Sequence, residues 1–283
     1  MQVVAPAKIN LCLRIIGRRP DGFHEIETLI ALVSLYDKID IERQNRWIDF
    51  SCDDPAIPQG AENLVVRAAK AFLEETRIKT GIAIRLQKQI PHGAGLGGGS
   101  SDAASTLLAM NQLFKTQLGR EALGRIAQAI GSDVPFFLFQ SAAVCKGRGE
   151  IVEPTALDSR LSILLLKPAF SVSTASAYSP WDKSRELPRV SYAPQKFGGH
   201  EFVNDLERPV FEKFVFLART KMWLLEQPEV GAALMSGSGS TVFAALRQDA
   251  DANLLVKRAK AELDPELWTC ACETLEGAAL SAP

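Results

Sequence analysis

The chain has 283 residues, 47 % of them hydrophobic, and a formal net charge of −1. That length and apolar content suffice for two ordinary cores, while a charge near zero offers no electrostatic footprint for nucleic acid or an acidic membrane. The five cysteines, Cys12, Cys52, Cys145, Cys270 and Cys272, form an odd set with no C-x-x-C pair, which fits reduced thiols in a cytoplasmic protein. Cys270 and Cys272 share one face of an alternating strand and no histidine adjoins them, so no metal site is expected. The first residues lack the basic-then-apolar layout of a signal peptide, and no apolar run reaches bilayer length. A membrane partner is not expected.

In chain order, the first third reads as β-rich. Alternation and branching predict a strand over 9–16, a Pro-Asp-Gly turn over 18–22, and strands over 24–33 and 37–42. A helix follows over 61–75, with Leu64, Ala68, Ala71 and Phe72 at helical spacing. The strand expected over 81–90 feeds directly into Pro91-His92-Gly93-Ala94-Gly95-Leu96-Gly97-Gly98-Gly99-Ser100-Ser101, and helices are expected over 100–114 and 120–130. A hairpin over 142–152 turns at Gly147 to Gly149. A polar connector then precedes the buried strand 161–166, which places a domain boundary at 157: a first domain over 1–157 and a second over 158–283.

The second half reads as helix 174–181, a polar stretch over 182–200, a long helix over 209–226, strand 232–235, loop 236–240, strand 241–246, helix 250–263 and strand 267–273. This order describes an α+β chain with an antiparallel sheet. Asp205 reads as an N-cap for the long helix, and Trp47, Trp181, Trp223 and Trp268 as core or interface residues.

The glycine-rich segment is the informative one. Glycines let the backbone approach an anion, and a helix start supplies unpaired N–H groups and a positive dipole end, so a strand-to-helix junction of this kind holds phosphate. It is not a Walker loop, because Ser100-Ser101 stand where Lys-Ser or Lys-Thr is required. Gly93, Gly95 and Gly98 satisfy the dinucleotide spacing, yet a second helix follows in place of the parallel strand and acid that fold needs.

The segment instead resembles the P-x-x-x-G-L-G-S-S-A element of the superfamily of galactokinase, homoserine kinase, mevalonate kinase and phosphomevalonate kinase, with Gly98-Gly99 spacing out the serines. Two further elements extend the resemblance, the first to one branch of that superfamily and the second to the superfamily's C-terminal glycine motif. They are Pro6-Ala7-Lys8-Ile9-Asn10-Leu11 followed by Gly17-Arg18-Arg19-Pro20-Asp21-Gly22-Phe23-His24-Glu25, and Ser236-Gly237-Ser238-Gly239-Ser240-Thr241-Val242-Phe243.

The resemblance implies a two-domain α+β fold: an N-terminal ribosomal-protein-like domain with the phosphate loop, and a C-terminal ferredoxin-like sandwich with an antiparallel sheet. It implies ATP-dependent phosphorylation of the 2-hydroxyl of a cytidine diphosphate-linked polyol, in the non-mevalonate, methylerythritol phosphate route to isoprenoid precursors. The other small-molecule kinases of the superfamily, and a non-catalytic binding module on the same fold, are the alternatives. Mg²⁺ would accompany the nucleotide. The oligomeric state, monomer or homodimer, is not set by the sequence.

By the same resemblance, Pro91, Gly93, Ala94, Gly95, Leu96, Gly97, Gly98, Gly99, Ser100 and Ser101 bind ATP, and Gly237, Ser238 and Gly239 form the C-terminal glycine motif. Asp133 is the catalytic base; from residue type alone it reads first as a cap before Val134-Pro135. Lys8 polarises the acceptor hydroxyl and meets the γ-phosphate, its plain alternative being a sheet-edge lysine. Asn10, two residues on, shares its face and orients the substrate. Phe23 and Tyr178 stack on cytosine and His24 hydrogen-bonds it, with Phe23 standing where the family more often has Tyr, and with Tyr178 also readable as an ordinary helix residue. His92, Lys146 and Arg148 border the phosphate loop or merely cap turns.

Overall fold

The computed structural model describes residues 1–276 apart from Pro180. Two sheets carry the chain. The first is built on a long hairpin of β1 (Gln2–Arg18) and β2 (His24–Gln44), antiparallel from Gln2↔Asp40 to Arg18↔His24. The two strands predicted separately within 24–42 are thus one. The outer edge of β2 is shared: β4 (Gly81–Gln87) pairs with its second half, and β5 (Ala143–Gly147), continued by β6 (Ile151–Pro154), with its first. β3 (Ile48–Cys52) extends β4 in parallel.

Three helices cover this sheet: α1 (Leu64–Thr76), α2 (Gly98–Phe114) and α3 (Arg120–Ile130). Asn63 starts α1 by accepting Val65 N–H on its side chain. Phe72, Leu107, Met110 and Ile126 pack from these helices onto Ile39, Ile41, Ile82 and Ile84 of the strands. A one-turn α4 (Val134–Phe137) follows.

The second sheet has the order β10-β11-β7-β12, all antiparallel, from β7 (Ser162–Lys167), β10 (Val230–Met235), β11 (Val242–Leu246) and β12 (Trp268–Glu273). Its outer face packs on α6 (Glu207–Lys213), α7 (Val215–Leu225) and α8 (Ala252–Glu262) through Phe211, Leu217, Leu224 and Leu255. The single helix expected over 209–226 is broken at Phe214, whose φ of −122° and ψ of 67° leave the helical region. Its inner face, Ile163, Leu165, Leu234 and Phe243, packs against Ala7, Ile9 and Leu11 of β1. The result is helices, sheet, sheet, helices, with β1 in the middle.

The 182–200 stretch, read only as polar, contains a strand. β8 (Gln195–Phe197) forms a hairpin with β9 (His200–Asn204), and β9 adds to β1 in parallel at Cys12↔Val203 and Leu13↔Asn204. Residues beyond 157 therefore complete the first sheet. Their alternation was masked by the polar residues around them. α5 (Thr174–Tyr178), capped by Ser173, and a 3₁₀ turn (Trp181–Lys183) occupy the connection. Asp205 caps nothing: Leu206 holds the cap position of α6, while Asp205 accepts Ile15 N–H at 2.8 Å. Trp47 is neither core nor packed, being 80 % exposed at a turn.

Candidate active site

Alternation along β1 decides the site. Ala7, Ile9 and Leu11 face the second sheet, so Lys8 and Asn10 point the other way, toward the start of α2. Lys8 is 5 % exposed and is paired with Leu32 of β2 on one side while its N–H is taken by Leu96 O of the loop on the other, which removes the sheet-edge reading. Its Nζ donates to Asn10 Oδ1 at 2.5 Å, Asn10 Nδ2 donates to Thr28 Oγ1 at 2.9 Å, and Thr28 Oγ1 donates to the carbonyl of Cys12 at 2.6 Å. Burial pulls the Lys8 pKa below the usual lysine value, and the charge of Asp133 opposes that pull.

The phosphate loop lies over this ammonium. Gly97 caps α2 at φ +70° with no side-chain bond, leaving the first N–H groups of a 17-residue helix unpaired. A Cβ on Gly97 would fall 2.8 Å from Phe137 and 3.0 Å from the Lys8 stem. The backbone therefore passes as close to Lys8 as glycine allows. The loop is seamed to the second sheet as well: Ser236 Oγ donates to Gly95 O at 2.9 Å and Thr241 N–H to Ala94 O at 3.1 Å. Lys8 N–H bonds Leu96 O at 3.0 Å.

A cavity of about 920 Å³ opens between the two halves. It is lined by Lys8, Asn10, Phe23, His24, Asp133 and Tyr178, by Gly237, Ser238 and Gly239, and by Pro91 and the loop residues 93–100. Ser101 is placed elsewhere, fully buried with its hydroxyl unbonded. Asp133 occupies the cap position of α4 but makes no capping bond, so its carboxylate is left to the cavity.

At the far end, His24 stands 5.5 Å from the Tyr178 ring and 6.0 Å, edge-on, from that of Trp181. Tyr178 has its pKa raised by burial and then by the charge of Asp133, so the hydroxyl stays protonated at neutral pH. The Arg148 guanidinium covers the Phe23 ring at 4.6 Å, and both line the cavity, so the hairpin tip is part of the site. The Lys146 side chain instead pairs with Glu153 in solvent.

Residue 63–141 match the family model described as GHMP kinases N terminal domain. A 4-diphosphocytidyl-2-C-methyl-D-erythritol kinase of Methylacidiphilum infernorum is 43 % identical over 276 residues, covering 96 % of each chain. This chain belongs to the 4-diphosphocytidyl-2-C-methyl-D-erythritol kinase family. A kinase of the same name from Syntrophus aciditrophicus is 37 % identical over 96 % of this chain and 98 % of its own. A crystal structure of 4-(cytidine 5'-diphospho)-2C-methyl-D-erythritol kinase superposes with a TM-score of 0.79 at 35 % identity, over 98 % of this chain and 100 % of that one. The homoserine kinase of Cytophaga hutchinsonii, at 18 % identity and a TM-score of 0.71 over 98 % and 94 % of the chains, shares the GHMP kinase fold.

Two features of this family member's site escaped sequence reading. Trp181 joins the His24 cluster, held there by Arg208, which donates to its carbonyl at 2.8 Å and lies 5.6 Å over its ring. Lys88 lies buried beneath the loop between Asp37 and Asp102, bonding Asp102 Oδ2 at 2.8 Å and Asp37 Oδ2. Asp37 also accepts the N–H groups of Gln89 and Ile90. Among the described residues the Asp102 carboxylate has only the lysine, its Oδ1 being unpartnered, and burial pushes it up to about 8. A lysine that falls at the next position of the Ile82, Ile84, Leu86 alternation is the one signal that could have drawn attention to it.

Proposed function

We propose that the chain transfers the γ-phosphoryl group of ATP to the 2-hydroxyl of 4-diphosphocytidyl-2-C-methyl-D-erythritol, as the name of its relatives implies. The observation that carries the reading is one cavity holding a helix N-terminus, a buried ammonium and an uncapped carboxylate at one end and an imidazole among aromatic rings at the other. Phosphoryl transfer needs positioning and charge stabilisation more than covalent chemistry. The N–H groups of the α2 start cradle the phosphates, Lys8 meets the charge that develops between γ-phosphate and acceptor oxygen, and Asp133 takes the hydroxyl proton.

Asn10 fixes the Lys8 ammonium and presents its side chain to the substrate. His24 reads the cytosine edge, with Phe23 and Tyr178 as stacking faces, so the cytidyl end supplies remote binding energy that aligns the hydroxyl. Among the described residues no cluster of three His, Cys, Asp or Glu side chains could hold a metal. The donors at the loop, the Ser100 hydroxyl with phosphate oxygens, suit a hard Mg²⁺ that arrives on the nucleotide, where it would neutralise phosphate charge. No helix of the described residues is long and apolar enough to cross a membrane, and we place the enzyme in the cytoplasm.

ADP release with the diphosphocytidyl substrate, homoserine and mevalonate tests the reading. Turnover of the first alone is expected, and equal use of the others overturns it. Within that assay His24→Ala raises the KM for the cytidyl substrate by roughly five- to 150-fold, the loss of one buried hydrogen bond, and leaves that for ATP nearly unchanged. Equal reaction of uridine and cytidine forms would remove the cytosine site.

A further inference from the structure

We infer that Asn204 is a positioning residue for the reaction, acting through the C-terminal glycine loop on the Lys8 ammonium. Asn204 is the last residue of β9 and is 4 % exposed. Its Nδ2 donates to the carbonyls of Met235 and Gly237, both at 2.7 Å, and its Oδ1 accepts Leu206 N–H at 2.9 Å. Two carbonyls can only accept, so the amide NH₂ has one possible orientation and both its protons are used. Glu207 completes the grip by accepting Met235 N–H at 2.9 Å on the carboxylate that Lys221 holds from the other side at 2.5 Å.

The loop so held ends against the reacting groups. A Cβ on Gly237 would lie 3.1 Å from Lys8 Nζ and 3.1 Å from Asn10 Oδ1. Asn204 is also paired with Leu13 of β1, the strand that carries Lys8 and Asn10. One side chain thus references the loop to the same strand as the ammonium it walls in. The wall matters because Lys8 works desolvated, and a loose Gly237 would admit water to it.

The inference rests on the proposed reaction for its kinetic part, so the test has two readouts. Backbone hydrogen exchange at 236–240 in the free enzyme reports the grip itself. Asn204→Asp, which keeps shape and acceptor but loses the donor, and Asn204→Ala, which adds no charge and tolerates folding better, are both expected to speed exchange there and not in β11. Unchanged exchange in a folded variant overturns the inference.

Steady-state rates with ATP and the diphosphocytidyl substrate then report the coupling. kcat is expected to fall roughly 10- to 100-fold with both KM values within about threefold, and the alkaline limb of kcat to move to higher pH, because hydration restores the Lys8 pKa. A folded variant with wild-type kcat and an unmoved alkaline limb overturns it, since a merely structural side chain would leave that limb in place. A wild-type enzyme inert toward the cytidyl substrate, combined with faster loop exchange in the variants, would sink the reaction and leave the grip standing.

Discussion

Lys8 and Asn10, two residues apart on β1, are joined by a 2.5 Å hydrogen bond from ammonium to amide oxygen, and the amide is in turn anchored on Thr28. The ammonium is therefore aimed before any ligand arrives. Lys8→Met is expected to fold and to lower turnover at least as much as Asp133→Asn, for which roughly 10²-fold or more is expected from loss of a positioned base. Both variants should retain binding of each substrate by calorimetry. Near-normal kcat for Asp133→Asn would leave a loose transition state that needs no base.

Burial holds the Lys8 pKa below 10.5, against the charge of Asp133. The protonated form is the useful one, so activity is lost as pH rises through that depressed value and is full below it. Removing the opposing charge in Asp133→Asn should lower the Lys8 pKa further, a direction that nitrogen NMR of labelled lysine can follow. A rise would show that the Asp133 charge does not support the ammonium.

The loop glycines should not behave alike. A Cβ at Gly97 meets Phe137 and the Lys8 stem, at a positive φ, whereas one at Gly99 meets only Leu64 at an ordinary 3.6 Å within α2. Gly97→Val is expected to weaken ATP and to depress kcat together, because it displaces the lysine as well as the phosphate cradle. Gly99→Ala should leave both nearly intact and raise the melting temperature slightly, the gain being less than the roughly 1 kcal/mol that separates alanine from glycine in a helix interior, because Gly99 lies in the first turn of α2. Inactivity of Gly99→Ala would mean that a ligand fills the space the free structure leaves open.

Among the described residues Lys88 is the only side-chain partner of Asp102 and one of three groups donating to Asp37. Lys88→Met strands buried carboxylates, at a cost of about 3–5 kcal/mol. Urea unfolding above about pH 8, where Asp102 is ionised beside Lys88, should show that loss, and Asp102→Asn in the same chain should restore part of it by removing one charge. An additive double variant would mean the two do not interact.

How much of this was legible depended on whether the signal was local. The strand-to-helix junction at 91–101 and the spacing of Lys8 and Asn10 are local; residue types read the junction as a phosphate site, and the family resemblance singled out Lys8 and Asn10. The Trp181 and Lys88 contributions were not, because each depends on a partner far along the chain: His24 and Arg208 for the first, Asp37 for the second. Asp205 misled for the same reason, its acceptor being claimed by Ile15 across the β1–β9 contact before the helix could use it. The break at Phe214 was hidden because the residues on both sides, Phe211 and Leu217, bury into one core.

The seam between the phosphate loop and the loop after β10 has a mechanical consequence. Ser236 and Thr241 hold Gly95 and Ala94 by hydrogen bonds, and Lys8 N–H holds Leu96, so three points far apart in the chain are riveted at one place. A cleft stitched at its base cannot widen there. Any movement that admits substrate must pivot about this rivet and appear at the rim, where Phe23 is half exposed under Arg148 and His24 faces Trp181. Nucleotide and acceptor alcohol would then meet at a fixed fulcrum, with the cytidyl end acting as the lever arm.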